Sequence, residues 1–349
     1  LGAKINGKDG SYDITGITQP SQKAAVDCFE SGSTLRFMIP IFSAFGCEAE
    51  FTGRGKLPER PITPLIEPMT ENGAVFETLS MPYRVKGRLN GGKYYIDGSV
   101  SSQFITGLLF ALSVLSKDSE IILTTRLESK PYVNITTDCM KQFGVGVYET
   151  ENGYFIKGGQ KYQPHNCTVE ADMSQSAFFL AANCAGSDIE LTNLNLNSVQ
   201  GDKAIVDIAK KFRNGGDLAV IDASDIPDLV PIISVAAAAA NDGETVITGA
   251  ERLKIKESDR LTAVYESLKA LGVDISKTDD GLVINKTGIV GGGAVSGYND
   301  HRMVMALSVL SAVSSGDIIL RGAEAVNKSY PNFFEDFSSL GGSYNVINS

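Results

Sequence analysis

Basic side chains stand where helices are expected to begin. Arg36 follows Ser31-Gly32-Ser33, Arg60 precedes Pro61, and Lys254, Lys256 and Arg260 gather ahead of the helically spaced set Leu261, Val264, Leu268 and Leu271. Arg302 follows Asp300, and Lys328 precedes Pro331. A helix N-terminus is already positive, so a cation there costs a few tenths of a kcal/mol to about 1 kcal/mol. One such residue is accounted for by solvation or a weak surface ion pair. Recurrence at the same place in several segments points instead to a shared polyanionic ligand, gripped by bidentate arginines between two lobes. Lys256 and Arg260, four apart, are expected to share a helix face.

Carboxylates accompany these cations. Asp228 follows Ile226-Pro227 at another expected helix start, and Glu257 sits between Lys256 and Arg260. Each has a plain structural alternative, an N-cap for Asp228 and a local ion pair for Glu257. Together they offer the acid and base that chemistry on an anionic substrate requires. His301 stays open between a proton carrier, a satisfied hydrogen-bonding group and a partner at the helix start. A hydroxyl-rich spot lies in DGSVSSQFITGLLFALSVL, residues 97–115, where Ser101, Ser102 and Gln103 meet the start of an apolar helix. Free N–H groups there favour an anion, although serines before a helix also serve simply as caps.

The elements that must position these residues repeat. Five segments share a polar turn, an apolar helix, a short strand, a second helix and a strand, their turns carrying Ser31-Gly32-Ser33, Ser101-Ser102-Gln103, Ser174-Gln175-Ser176, Pro227-Asp228 and Asn299-Asp300-His301. Prolines 61, 131 and 331 are expected to open second helices, where a missing N–H costs nothing. Gly144 and Gly272, like the turns ending at Gly153 and Gly281, lie 128 positions apart, and Asn-Gly or Asp-Gly between apolar residues predicts a hairpin. The pattern predicts an α/β protein of repeated units in two lobes, residues 1–169 with two copies and 170–349 with three. The first thirty residues fit less well, offering a strand near Tyr12–Thr15 and a helix-compatible run from Gln22 to Phe29.

Composition narrows the function classes. The 349 residues are 43% hydrophobic, enough for about two buried cores. The longest apolar run, near Ile232 to Ala240, is far short of the roughly 20 residues of a membrane span. A net charge of -10 disfavours nucleic acid. Five scattered cysteines, 28, 47, 139, 167 and 184, lack CxxC spacing, so a reduced, cytoplasmic setting is expected, with each thiol a small buried apolar group. Two histidines exclude imidazole metal clusters, and His165 reads as a loop residue.

DGSVSSQF, KPY, IPDLVP, LKIKESDRL, YNDHRM and NKSYPNFF, in that order, resemble the 5-enolpyruvylshikimate-3-phosphate synthases over nearly the whole chain, KESDRL with YNDHRM being the specific pair. The resemblance implies two inverse α/β lobes built from βαβαββ units, the barrel-like enolpyruvyl transferase fold, closing over substrate. It implies transfer of the enolpyruvyl group of phosphoenolpyruvate to the 5-hydroxyl of shikimate 3-phosphate, with phosphate released and no metal or organic cofactor. Carried over by motif, Ser101, Ser102, Gln103, Ser129, Tyr132, Asp228 and Lys256 would meet shikimate 3-phosphate. Gly32, Ser33, Arg60, Gln103, Arg260, His301, Arg302 and Lys328 would meet phosphoenolpyruvate, where glyphosate competes in this family. Asp228 would take the hydroxyl proton, and Lys256 and Glu257 would manage the proton at the enol.

Two departures stand against the family pattern. The family's N-terminal segment, with a Lys-Ser pair and an Arg that bind both substrates, is not in this sequence, so the first lobe is expected to be incomplete. Glu30 also occupies a position where many relatives carry Asn. The expected assembly is a monomer, with a complementary N-terminal segment as a conceivable companion. The alternatives are a truncated or split remnant that binds shikimate 3-phosphate without turnover, and a scaffold for protein partners.

Overall fold

The computed structural model describes residues 1–215, 218–240 and 242–347, and the chain divides into two units, Leu1–Cys167 and Thr168–Ser349. Each unit has its own apolar core, Leu35, Phe51, Phe104 and Leu108 lying in the first and Phe178, Ile232, Leu261 and Phe333 in the second.

Unit 1 opens with the hairpin β1 (Lys4–Lys8) and β2 (Ser11–Thr15), turned at Asp9-Gly10 with both residues at positive φ, as a tight hairpin requires. Two repeats follow. The first is β3 (Lys23–Asp27), α1 (Gly32–Phe45), β4 (Glu48–Thr52), α2 (Thr63–Glu71), β5 (Ala74–Phe76) and β6 (Tyr83–Gly87). The second is β7 (Lys93–Ile96), α3 (Ser102–Ser113), β8 (Ser119–Leu123), α4 (Lys130–Gln142), β9 (Tyr148–Thr150) and β10 (Gly153–Ile156). Their sheets have one topology, β3-β4-β6-β5 and β7-β8-β10-β9, with the first pair parallel and the rest antiparallel.

Unit 2 holds one repeat of the same form, β11 (Leu218–Asp222), α7 (Val230–Ala240), β12 (Glu244–Thr248), α8 (Arg260–Ala270), β13 (Ile275–Lys277) and β14 (Leu282–Asn285), ordered β11-β12-β14-β13. Before it come α5 (Met173–Cys184) and α6 (Ala204–Asn214). After it come β15 (Gly293–Ser296), α9 (His301–Leu310), β16 (Ile318–Arg321) and α10 (Phe333–Ser339), with β15 and β16 parallel. The inner helices α3 and α7 are apolar nearly all round and almost wholly buried, whereas α6 is amphipathic.

Glycine spacing matches this repetition. A Cβ at Gly153 would lie 2.0 Å from the Ile121 carbonyl oxygen, and one at Gly281 would lie 1.7 Å from that of Ile247. Only glycine lets each hairpin press against the second strand of its unit.

Several expectations are corrected. Gln22 to Phe29 is not helical; it contains β3, because parallel pairing with β4 and inward placement of Ala24 and Val26 override the local helix preference of Ala-Ala. Between α5 and α6 no strand forms among the described residues. Side chains instead satisfy that backbone in part: Asn183 exchanges two hydrogen bonds with Ile189, Gln200 N–H donates to Ser198 Oγ, and Lys203 Nζ donates to the Ser198 carbonyl. Cys139 and Cys167 are exposed rather than buried, the second in a stretch with no regular structure. The fifth segment lacks a closing hairpin among the described residues. Pro61 lies outside α2, whose first turn holds Pro64, and α10 starts two residues past Pro331. No helix among the described residues is long and apolar enough to cross a membrane.

Candidate active site

In unit 1, the parallel strands β7 and β8 deliver the starts of α3 and α4 side by side. Thr125 and Ser99 both donate to Asp97, and Thr106 and Thr136 hydrogen-bond at 2.9 Å between the two helices. Ser101 caps α3, accepting from Gln103 N–H at 3.3 Å, while Ser102 is buried. Ser129 stands at the N-cap position of α4 with φ 55°, its side chain making no capping hydrogen bond, and is also buried, and Tyr132 lies in the first turn behind it. The four hydroxyl residues expected to meet one ligand thus occupy two neighbouring helix starts, where backbone N–H groups favour an anion.

Helix α1 packs on α3 so closely that a Cβ at Gly107 would stand 2.3 Å from the Arg36 carbonyl oxygen. That approach joins Arg36 to Gln103: Nη1 donates to Oε1 at 2.7 Å, Nη2 donates to the Pro61 carbonyl, and Gln103 Nε2 donates to Ser33 Oγ at 2.8 Å. Arg60 closes a 3-10 turn, Leu57–Glu59, and is buried. Both guanidinium groups flank Gly32, where a Cβ would lie 3.1 Å from each. Gly32, Ser33, Arg60 and Gln103 therefore share one place. Arg36, absent from the substrate sets implied by resemblance, stands at its centre. Its signal in the sequence is a cation at an expected helix start, after Ser33.

Unit 2 builds its cluster around Arg260, 1% exposed at the start of α8. Its Nε donates to Asp300 Oδ2 at 2.7 Å, Nη1 to Asp228 Oδ1 at 2.8 Å and Nη2 to Glu257 Oε2 at 2.8 Å. Asp228 also faces Arg302 Nη2 at 3.0 Å and Lys256 Nζ at 3.8 Å. Arg302 reaches on to Ser174 Oγ at 2.6 Å. Three cations and three carboxylates balance within one network, buried at Arg260 and Asp300 and half-buried at the other four.

The two alternatives divide here. Asp228 sits inside a 3-10 turn, Pro227–Leu229, and its side chain caps nothing, so the N-cap reading falls. Glu257 does make the local ion pair, which stands beside any chemical role. Lys256 and Arg260 do not share a helix face: Asp259 caps α8 by accepting from Thr262 N–H, so the helix begins only at Arg260 and Lys256 follows a separate 3-10 turn, Glu251–Ile255. Lys328 ends another 3-10 turn and donates to the Asn299 carbonyl at 2.6 Å. Asp300, missed as a site residue, is wholly buried, caps α9 through Arg302 N–H and fixes Arg260.

Burial alone would raise the pKa of Asp228, but Arg302, Lys256 and Arg260 together outweigh it and hold the carboxyl well below its usual range. Asp300 is lowered in the same way, Arg260 overcoming burial. Burial, then Arg302, depresses His301 to about 4. Its imidazole is therefore neutral at pH 7, with Nδ1 buried and lacking a hydrogen-bond partner among the described residues. Stability contributed by that neutral ring is present above pH 6.5 and lost as pH falls through about 4. An NMR titration of His301 should show a midpoint near 4. A midpoint above 6 would restore it as a proton carrier near neutrality. Among the described residues no three His, Cys, Asp or Glu gather to hold a metal ion.

The profile of the family described as EPSP synthase (3-phosphoshikimate 1-carboxyvinyltransferase) matches residues 1–337. The 3-phosphoshikimate 1-carboxyvinyltransferase of Clostridium novyi is 44% identical over 91% of this chain and 77% of its own length. That of Clostridium perfringens strain SM101 is 41% identical over 98% of this chain and 85% of its own. Among solved structures, an EPSP synthase from Acinetobacter baumannii superposes with a TM-score of 0.79 at 25% identity, covering 99% of this chain and 86% of the other.

Proposed function

The chain belongs to the EPSP synthase family, and from that premise we propose how its two clusters divide the family's reaction. The protein transfers the enolpyruvyl group of phosphoenolpyruvate to the 5-hydroxyl of shikimate 3-phosphate and releases phosphate, a step of aromatic amino acid biosynthesis. We assign shikimate 3-phosphate to Ser101, Ser102, Gln103, Ser129 and Tyr132, with Asp228 and Lys256 at its reacting side. Phosphoenolpyruvate falls to Gly32, Ser33, Arg60, Gln103, Arg260, His301, Arg302 and Lys328, and we add Arg36 to that set because it orients Gln103.

Addition forms a C–O bond at C2 of phosphoenolpyruvate while the hydroxyl loses a proton and the methylene carbon gains one. Asp228 takes the first proton, and Lys256 with Glu257 delivers the second. Loss of phosphate, with return of the methyl proton to a base, then regenerates the double bond. Arg260 and Arg302, once turned from Asp228 to the ligand, stabilise its phosphate and carboxylate charge.

One observation carries this assignment: a single carboxylate, Asp228, is approached by Arg260, Arg302 and Lys256 at 2.8 to 3.8 Å. A base held so firmly ionised becomes strong only when an anion draws those cations away. We further infer a monomer and a cytoplasmic setting, the five free cysteines supporting only the second. Shikimate 3-phosphate at a hundred times its dissociation constant should stabilise the protein by about 2.7 kcal/mol, and phosphate should appear only with both substrates present. An unchanged melting curve would remove the substrate assignment and favour the scaffold. Stabilisation without phosphate release would leave the binding remnant.

A further inference from the structure

Of the five polar turns that open the inner helices, four carry residues assigned to a substrate or to the Arg260 cluster. The turn Ser174-Gln175-Ser176, at the start of α5, carries none. It is nonetheless firmly built. Asp172 caps α5 by accepting from the Ser174 and Gln175 N–H groups at 2.8 and 3.2 Å, and Met173 N–H donates to Gln200 Oε1 at 2.9 Å. Behind the turn, Ala177, Phe178 and Ala181 lie wholly buried in the core of unit 2, where α5 packs against α7 and α9. Ser174 is only 6% exposed, so its hydroxyl is held by a helix end tied down from both sides.

That hydroxyl meets Arg302, 128 positions away. Arg302 Nη1 donates to Ser174 Oγ at 2.6 Å and to the Asp228 carbonyl at 3.3 Å, while Nη2 faces the Asp228 carboxylate at 3.0 Å. One half of the guanidinium thus rests on neutral acceptors and the other on a charge. An arriving phosphate or carboxylate competes with Asp228 for the charged contact, exchanging one anion for another. Displacing the neutral contacts would instead leave buried polar atoms unpaired. We propose that Ser174 is a positioning residue for phosphoenolpyruvate, its hydroxyl keeping one half of Arg302 in place while the other half passes from Asp228 to the ligand. The inference rests on the reading of Arg302 as a phosphoenolpyruvate ligand and adds the residue that holds it. Without the hydroxyl, Nη1 loses its 2.6 Å contact, and ordering Arg302 then costs binding. Ser174 takes no part in proton transfer, so its removal should raise KM and spare kcat.

Ser174→Ala should raise the KM for phosphoenolpyruvate about tenfold, the effect of removing one hydrogen bond to a charged group, in a phosphate-release assay at saturating shikimate 3-phosphate. The kcat should stay within about threefold of the parent, with the KM for shikimate 3-phosphate and the melting temperature unchanged. Ser176→Ala removes a hydroxyl from the same turn, one that donates to the Asp172 carbonyl, and should leave the KM for phosphoenolpyruvate where it was. In an Arg302→Lys background, which keeps the charge but has no fork to hold, Ser174→Ala should weaken calorimetric phosphoenolpyruvate binding by less than about twofold. The inference is overturned if Ser174→Ala leaves that KM unchanged, if it lowers kcat and melting temperature together, or if its effect persists undiminished beside Arg302→Lys. A parent protein that neither binds phosphoenolpyruvate nor releases phosphate would overturn the proposed function, and this inference with it.

Discussion

Asp228→Asn should lower turnover by about two to four orders of magnitude, the range that one general base supplies, while phosphoenolpyruvate binding is kept or tightened. The substitution preserves shape and removes only the charge that Arg260, Arg302 and Lys256 now share. Within this cluster Asp228 is a poor base, because its neighbours hold it ionised well below its ordinary pKa. Phosphoenolpyruvate brings a phosphate and a carboxylate that compete for the same cations. As they turn to the ligand, the Asp228 pKa climbs and the base gains strength when a substrate is there to use it. Neutral Asn leaves the cations free for the ligand but can take no proton. Phosphate release measured beside calorimetric binding separates the two effects. Turnover within a few-fold of the parent would end the assignment of Asp228 as base, and loss of the folded circular dichroism spectrum would return it to a structural role.

What the sequence discloses here follows the range of the forces involved. Helices such as α3 and α7 are legible because unbroken apolar runs must be buried, and the hairpins at Gly153 and Gly281 because their turns demand particular residues. Strand β3 is not, since what makes it a strand is β4, some twenty-five residues further on. The same holds at the site. Cations at helix starts are visible as an anomaly of local electrostatics, and the Glu257–Arg260 pair as a spacing of three. That Arg260 also turns inward onto Asp300, forty positions away, depends on β15 and α9 having packed beside α8. Arg36 is a similar case, its meaning arising only when α1 meets Gln103 of α3.

Arg260→Leu should cost unit 2 about 3–5 kcal/mol and also reverse the sign of its pH dependence. With Arg260 in place, Asp228 and Asp300 have folded pKa values below the ordinary 3.8. The stability they contribute is therefore present above pH 3.8 and lost only as the medium falls through those lower values. His301 adds a slope of the same sign between about 4 and 6.5. Remove the guanidinium, and Asp300 is a carboxylate with 0% exposure whose main counter-charge is gone. Burial then pushes its pKa above the unfolded value, so its contribution is present at low pH and lost as pH rises. Urea unfolding followed by circular dichroism should find the parent at least as stable at pH 8 as at pH 5, and the variant more stable at pH 5. Asp300→Asn placed on top of Arg260→Leu should recover much of the loss at pH 8, because the stranded charge has been removed. A variant within about 1 kcal/mol of the parent at both pH values would mean that Arg260 is not what holds these carboxylates ionised. The electrostatic account of Asp228 as a ligand-triggered base would then lose its premise.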